Sequence, residues 1–537
     1  MTSRSQQSHP LDPAKGSQSG PAVVTDNHGM IEAVLPTQAL VHRWRALAAV
    51  LSAAAGGLVL FATRGDPRLS PDSITYLAVA EHLRHGVGLS DFTLTPLTVF
   101  PPVYPLVLAP GGASLLWVRV VGAVAMAVSC WLLFVLLEKR VRAGIALAAV
   151  VAFGASFGMV LTTSSTVSEP VCIALTLAML VVLDREPLGT RACGVAGLLA
   201  ALSFLTRYAA IGSLVTVVVV VAVTTRRWRP VVASAVPAVG LSGAWLVRNA
   251  VVAGTPMGPR FAGGANETLR AIVEQPLRSV GVAVGVSEGS TRTLLAGVIV
   301  TVVVMTGAVI VLRRRPIKAV DLGMICLAGA SVAVPVLARI RTASDVSPRV
   351  MTPLLVAACY LGAVVVDTAL RFRWPGRAVA ALATVAIAWT TWQGVAYAVR
   401  FPDLPSSGDR SLYSKGLYDD IDALPSGTAI LTNNPWGVWW QSRREPIEMA
   451  FTRPRVGNSH RPVEAAELVR LACSGPTALA WFSSMRNAGE GPDERRPDLL
   501  ELVSLDRVAT APSGVLYMVS PLDRAACPEP AELAPGD

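Results

Sequence analysis

Residues 64–86 read RGDPRLSPDSITYLAVAEHLRHG, and residues 97–110 follow as LTVFPPVYPLVLAP before a long apolar segment begins. The first stretch has the grammar of a helix start. Ser70 can cap, Pro71 suits the first helical position, and Asp72 falls in the first turn, where the helix dipole stabilises a carboxylate. Gly86 and Gly88 mark the end. Tyr76, Val79, Ala80 and Leu83 recur at helical spacing, with Glu81, His82, Arg84 and His85 largely on other faces. The pattern predicts a helix lying along a membrane interface. Asp72, one helical turn before Tyr76, shares the face turned towards the membrane.

Outward from this loop the chain is dominated by apolar segments. With 52% hydrophobic and 15% charged residues and a mean hydropathy of +0.52, it falls outside the composition of an ordinary soluble enzyme. Stretches long enough to cross a bilayer, about 20 residues each, run near 44–62, 115–137, 143–162, 167–183, 231–253, 293–312, 319–338, 350–370 and 377–399. The segment 192–223 is too long for one span and is interrupted by Arg207 and Tyr208. Arg185 and Arg191 precede it and Arg226, Arg227 and Arg229 follow it, so both flanks are cytoplasmic and the segment crosses twice. The expectation is a mainly α, polytopic membrane protein with about eleven transmembrane helices.

Arg43 and Arg45, Lys139, Arg140 and Arg142, Arg313 to Lys318, and Arg371 to Arg377 all fall on the same side by alternation. These short runs account for the net charge of +10 as orientation signals, and no nucleic-acid partner is expected. The N-terminus is then inside. The loops 63–114 and 254–292 and the region 401–537 are outside, which is the arrangement expected of a multi-pass plasma-membrane protein.

Residues 1–42, rich in Ser, Gln, Pro and Gly, read as a disordered cytoplasmic tail, and 43–400 as the membrane domain. Residues 401–537 alternate strand-like and helix-like pieces: strands at 428–432, 446–450 and 477–482, and helices at 435–443 and 462–473. Further strands near 499–505 and 515–519 would complete a small extracytoplasmic α/β domain. Cys130, Cys172, Cys193, Cys326 and Cys359 fall in or beside apolar segments, without metal spacing. Cys473 and Cys527 lie in the outer region and are a natural disulfide pair there.

Ionisable residues in spans are costly and usually functional. Arg119, Glu169, Arg207 and Arg248 fall at outer ends of spans, Asp321 and Asp367 at inner ends, and none near a middle. That one-sided pattern favours chemistry at the outer leaflet over transport through a midplane site. The turn at Arg207 and Tyr208, recessed between two shorter helices, is suited to a lipid phosphate.

Several segments together resemble the GT-C superfamily of polyprenyl-phosphate-sugar-dependent glycosyltransferases, of the aminoarabinose transferase and protein O-mannosyltransferase type. They are PDSITYLAVAEHLRHG with FPPVYPLVLA, LTRYAAI at 205–211, AWLVRN at 244–249 and SPRVMTPLL at 347–355. The resemblance implies a GT-C-like fold, a polyprenyl-phosphate sugar donor, a cell-envelope acceptor and inversion at the anomeric carbon. It places the catalytic base on Asp72, with Asp66 as the substitute and Glu169 as a second carboxylate. Arg349 matches the family arginine before an apolar span, with Val350 where an aromatic residue is usual.

Such a transfer needs a base for the acceptor hydroxyl and cations for the departing phosphate. Asp72 is assigned as base and Glu169 as its helper. Arg207, Arg248 and Arg349 are assigned as phosphate partners, with Tyr76 and Tyr208 beside them on the substrate. His82 and His85 have metal-compatible spacing but no third ligand nearby, so a divalent metal stays open and none is assigned. Tyr104 reads as structural, and the tryptophans of NNPWGVWW at 433–440 as packing the outer domain onto the membrane region. The competing readings are a lipid or glycolipid transporter and a non-catalytic membrane scaffold.

Overall fold

In the computed structural model the described residues are 27–258, 268–314, 317–342, 346–403, 416–449, 465–483, 501–522 and 527. The chain forms two compact units, Met1–Leu47 and Ala48–Asp537. In the first, residues 1–26 lie outside the described part. Helix α1 (Asn27–Ala62) starts well before the expected position. The tail read as irregular to residue 42 therefore includes helix, because a helix nucleated in an apolar span propagates outward one hydrogen bond at a time.

The first loop holds α2 (Pro71–Arg84) and α3 (Val103–Leu108). The membrane helices follow as α4 (Leu115–Leu137), α5 (Ala143–Gly154), α6 (Phe157–Thr163), α7 (Glu169–Leu183), α8 (Thr190–Thr206), α9 (Ile211–Thr225) and α10 (Trp228–Ala253). After α11 (Leu269–Ala283) come α12 (Thr291–Arg313), α13 (Ala319–Thr342), α14 (Thr352–Ala369) and α15 (Arg373–Arg400). Among the described residues eight helices are long and apolar enough to cross a membrane, and α5 with α6, bent by 51°, make a ninth if counted together. Helices α7 and α8 are apolar but shorter, so length and composition leave the expected eleven unfixed.

Residues 143–162, read as one straight span, bend between Gly154 and Ser156. Ser156 caps the new helix, accepting from Met159 N at 3.4 Å while donating to Phe153 O at 2.9 Å. A glycine and serine this close together are a common cause of such a break. The interruption at Arg207 is a true one: Arg207 is extended (φ −157°, ψ 124°) between α8 and α9. Buried hydroxyls close the seam, with Thr176 Oγ1 2.9 Å from Ser203 Oγ and 3.2 Å from Ser213 Oγ.

Expected cytoplasmic charges converge at one end of the bundle. Lys139 and Arg140 pair with Asp184, Arg142 with Asp367 (2.9 Å) and Lys318 with Glu186 (2.6 Å). The Tyr360 hydroxyl donates to Asp321 at 2.6 Å.

The C-terminal region is a five-stranded mixed sheet of order β2-β1-β3-β5-β4. Its strands are β1 (Ala429–Thr432), β2 (Pro446–Glu448), β3 (Thr477–Phe482), β4 (Val503–Ala511) and β5 (Gly514–Pro521), with helices α16 (Leu417–Asp422), α17 (Pro435–Ser442) and α18 (Ala465–Ser474). Strand β1 runs parallel to β2 and β3, and the rest is antiparallel. Strand β4 begins later than expected and extends further. As an edge strand bonded, among the described strands, only to β5 it tolerates the exposed Asp506 and Arg507, so apolar alternation understates its length.

Alternation along β3 sends Leu479 and Trp481 to one face, against Leu468 of α18. Ala478, Ala480 and Phe482 go to the other, where they join one core with Ile74, Leu77 and Ala78 of α2 and with Trp439 of α17. Helix α2 is therefore covered on both sides, and Ser73 to Ala80 are all buried. This corrects the picture of a half-solvated interfacial helix: the sheet occupies the side expected to face water. Within NNPWGVWW, Trp439 is buried with its ring 6.4 Å from that of His82, and Trp436 lies 6.0 Å from Phe92.

Trp439→Ala should lower stability by about 3–5 kcal/mol, as for other buried tryptophans. An unchanged unfolding midpoint in detergent would contradict the shared core. Cys473 and Cys527 are joined by a disulfide, with Cα atoms 5.6 Å apart, and the other five cysteines are free. Thiol labelling of the denatured, unreduced protein should modify those five and spare Cys473 and Cys527. Labelling of both would refute the bond.

Candidate active site

Two carboxylate-bearing helix starts are brought together by main-chain hydrogen bonds. Arg68 N donates to Ser164 O at 2.9 Å and Thr166 N to Arg68 O at 3.0 Å, a short parallel bridge between the segment before α2 and the segment before α7. Ser70 then caps α2 in a reciprocal box with Ser73: Ser70 N donates to Ser73 Oγ at 3.0 Å and Ser73 N to Ser70 Oγ at 3.3 Å. Pro71 occupies the first helical position and Asp72 the first turn. Glu169 opens α7, followed by Pro170. Each carboxylate faces the positive end of its helix.

Arg349, in the 3-10 turn Pro348–Met351 that leads into α14, spans the two. Its Nη2 donates to Asp72 Oδ2 at 2.7 Å, and its Nε lies 3.9 Å from Glu169 Oε1. Arg207 Nη1 is 2.6 Å from the same Glu169 oxygen. Asp72, Arg349, Glu169 and Arg207 thus form a continuous chain of alternating charge. The environments differ: the Asp72 side chain is 34% exposed and that of Glu169 only 1%. Asp72 Oδ1 has no hydrogen-bond partner among the described residues, so the accessible carboxylate has a free oxygen. Glu169 is held by charge proximity, since neither of its oxygens receives a well-directed hydrogen bond.

Tyr76 lies one turn after Asp72, wedged at 4.9 Å between the rings of Phe100 and Tyr104. Burial, and then the negative charges of Asp72 and Glu169, push its hydroxyl well above the usual tyrosine range. It is a neutral hydroxyl at any physiological pH. Burial likewise raises Tyr104, followed by the effects of Tyr76 and Glu169.

Other candidates belong elsewhere. The Tyr208 hydroxyl accepts from Trp245 Nε1 (2.8 Å) and Asn249 Nδ2 (2.9 Å) and donates to Thr98 O (3.1 Å). Arg248 donates to Leu97 O and to Asn249 Oδ1 (3.0 Å), with its guanidinium 4.8 Å above the Trp245 ring. These two residues grip the segment around Thr98. Gly258 completes the clamp: at φ +70° it passes so close to Thr98 that a Cβ would lie 2.7 Å from the carbonyl carbon. Asp66 is exposed at φ 79° after a 3-10 turn, outside the cluster.

Asn249 and Trp245 were not among the expected site residues. Their signal was within AWLVRN, where residues 245, 248 and 249 share a helical face by three- and four-residue spacing. His82 Nδ1 is engaged by the Ser90 carbonyl at 3.0 Å, and His85 Nδ1 by Glu81 O at 3.0 Å. Among the described residues no group of three or more His, Cys, Asp or Glu is placed to hold a metal ion.

Beside Arg207 an apolar cleft runs between α7, α9, α13 and α14, lined by Ile173, Leu177, Ala210, Leu327, Pro335 and Val356. Its polar end is the arginine that pairs with Glu169.

Fold and topology define a mainly helical, multi-pass membrane protein with a small C-terminal sheet. No protein-family model and no curated protein matches the chain. Solved structures do. The chain is similar to ArnT from Cupriavidus metallidurans bound to undecaprenyl phosphate, at TM-score 0.58 and 12% identity, over 87% of this chain and 97% of that one. The apo form of that protein gives TM-score 0.56 and 13% identity, covering 90% and 98%. The oligosaccharyltransferase AglB from Archaeoglobus fulgidus, in complex with an inhibitory peptide and a dolichol phosphate, gives TM-score 0.50 and 12% identity, covering 91% and 75%.

Proposed function

We propose that the chain is an inverting glycosyltransferase that moves a sugar from a polyprenyl-phosphate donor to an acceptor hydroxyl of the cell envelope, at the outer face of the plasma membrane. The observation that carries this reading is the four-membered cluster of an accessible carboxylate, a buried one and two guanidiniums, of which Arg207 also lines an apolar cleft. The donor phosphate meets Arg207 and Arg349, whose forked donors suit phosphate oxygens.

Asp72 takes the proton from the acceptor hydroxyl through the free Oδ1 as that oxygen attacks the anomeric carbon. The bond from that carbon to the phosphate oxygen breaks, and the pair of electrons leaves with polyprenyl phosphate. Attack and departure on opposite faces invert the configuration. Charge balance sets the order: two carboxylates and two arginines sum to zero, so the arginines turn to the phosphate as its negative charge grows. Glu169 keeps Arg207 and Arg349 anchored through that exchange. Tyr76, neutral and beside both carboxylates, donates to a sugar or phosphate oxygen.

Charge parity and the disulfide support a sheet domain outside the cytoplasm. The test compares lipid-linked sugars and envelope glycans in cells with and without the gene, and with Asp72→Asn. Accumulation of one lipid-linked sugar with loss of one linkage is expected in both altered strains. Unchanged glycans in both would overturn the proposal.

A further inference from the structure

The opposite end of the bundle carries a second constellation that the transfer chemistry does not use. Helix α7 runs away from Glu169 to Leu183, α8 returns from Thr190 to the turn at Arg207, and α9 leaves again to Thr225. The loops after α7 and α9, with the start of α13, therefore meet at the end remote from the carboxylates. They enclose an open concavity whose charged lining is Arg185, Arg226, Arg227, Arg229 and Lys318 with Asp184 and Glu186, beside Trp228.

An excess of basic residues at this end fixes membrane orientation and by itself implies no ligand. The pairing pattern sets the arginines of this corner apart from several neighbouring cations. Lys139, Arg140 and Arg142 at the same end are neutralised by Asp184 and Asp367, and Lys318 by Glu186. Arg185, Arg226, Arg227 and Arg229 have no carboxylate partner among the described residues, and all four are exposed. Helices α8 and α10 also begin at this concavity. Neither has a side-chain cap or an acidic residue in its first turn, so their positive ends add to the field of the arginines. Trp228, 70% exposed and 5.6 Å from the Arg229 guanidinium, has the character of an interfacial anchor.

We infer that this concavity binds the phosphate headgroup of an anionic phospholipid from the leaflet opposite the carboxylate cluster. Unpaired arginines and uncapped helix starts supply donors for phosphate oxygens. Trp228 marks the depth at which headgroup gives way to acyl chain. Basic hollows between membrane helices on the cytoplasmic side are suited to such lipids.

The experiment is native mass spectrometry of the full-length protein in detergent, titrated separately with phosphatidylglycerol, cardiolipin, phosphatidylcholine and inorganic pyrophosphate. The two anionic lipids should be retained in preference to phosphatidylcholine. The triple variant Arg226→Gln, Arg227→Gln, Arg229→Gln should weaken that retention by about tenfold or more, as loss of three interfacial cations implies. A matching triple Arg→Lys variant should keep most of it, which distinguishes loss of charge from loss of fold. Equal retention of phosphatidylcholine, undiminished retention in the Gln variant, or pyrophosphate bound as tightly as lipid would each overturn the inference.

Discussion

Asp72→Asn should reduce sugar transfer by about 10²- to 10⁴-fold while donor binding and folding persist, the range expected when a positioned general base is removed. Asparagine preserves size and can still accept from Arg349 through its amide oxygen, so the start of α2 and its Ser70–Ser73 capping box stay intact. The capacity to take a proton is lost, together with the negative charge that faces Arg349. Purified protein reconstituted with lipid-linked sugar would show donor retention near that of the unaltered chain and a turnover close to background. Asp66→Asn is the natural comparison, because Asp66 is exposed and outside the cluster, and its transfer should be unaffected. Equal activity in Asp72→Asn and the unaltered protein would remove Asp72 as the base and reopen the transporter and scaffold readings.

Glu169→Ala is expected to have a large effect on stability. It removes the buried member that holds Arg207 at 2.6 Å and approaches Arg349 at 3.9 Å, leaving two guanidiniums in a poorly solvated site. Breaking a buried pair from one side costs about 3–5 kcal/mol, more than removing both partners together. The double variant Glu169→Ala, Arg207→Ala should therefore unfold at a higher denaturant concentration than Glu169→Ala alone. A cycle with strictly additive changes would show that the ion pair carries no coupling. Loss of transfer should accompany the single change even where the protein remains folded, because Arg349 loses one of its two anchors.

How much of this was legible beforehand depended on range. The start of α2 could be read from Ser70, Pro71 and Asp72 because a helix start is written in adjacent residues. The break at Arg207 could be read because an apolar run too long for one span, with cations on both flanks, must turn. The 51° bend between α5 and α6 was missed, since Gly154 and Ser156 are compatible with a continuous membrane helix. Arg248 and Tyr208 were grouped with the phosphate partners on polarity and position. Only the fold shows that their hydrogen bonds are spent on Leu97 and Thr98.

By itself the sequence determined a multi-pass helical protein, its break at Arg207, its C-terminal α/β region and the helix that presents Asp72. Those features follow from apolar length, charge alternation and capping, which act over a few neighbouring residues. The tertiary structure alone decided that Arg349, 277 positions from Asp72, would bridge it to Glu169, and that a distant sheet would bury the far side of α2. An ion pair or a shared core between remote segments leaves no periodic trace, because its energy depends on the closeness that folding creates.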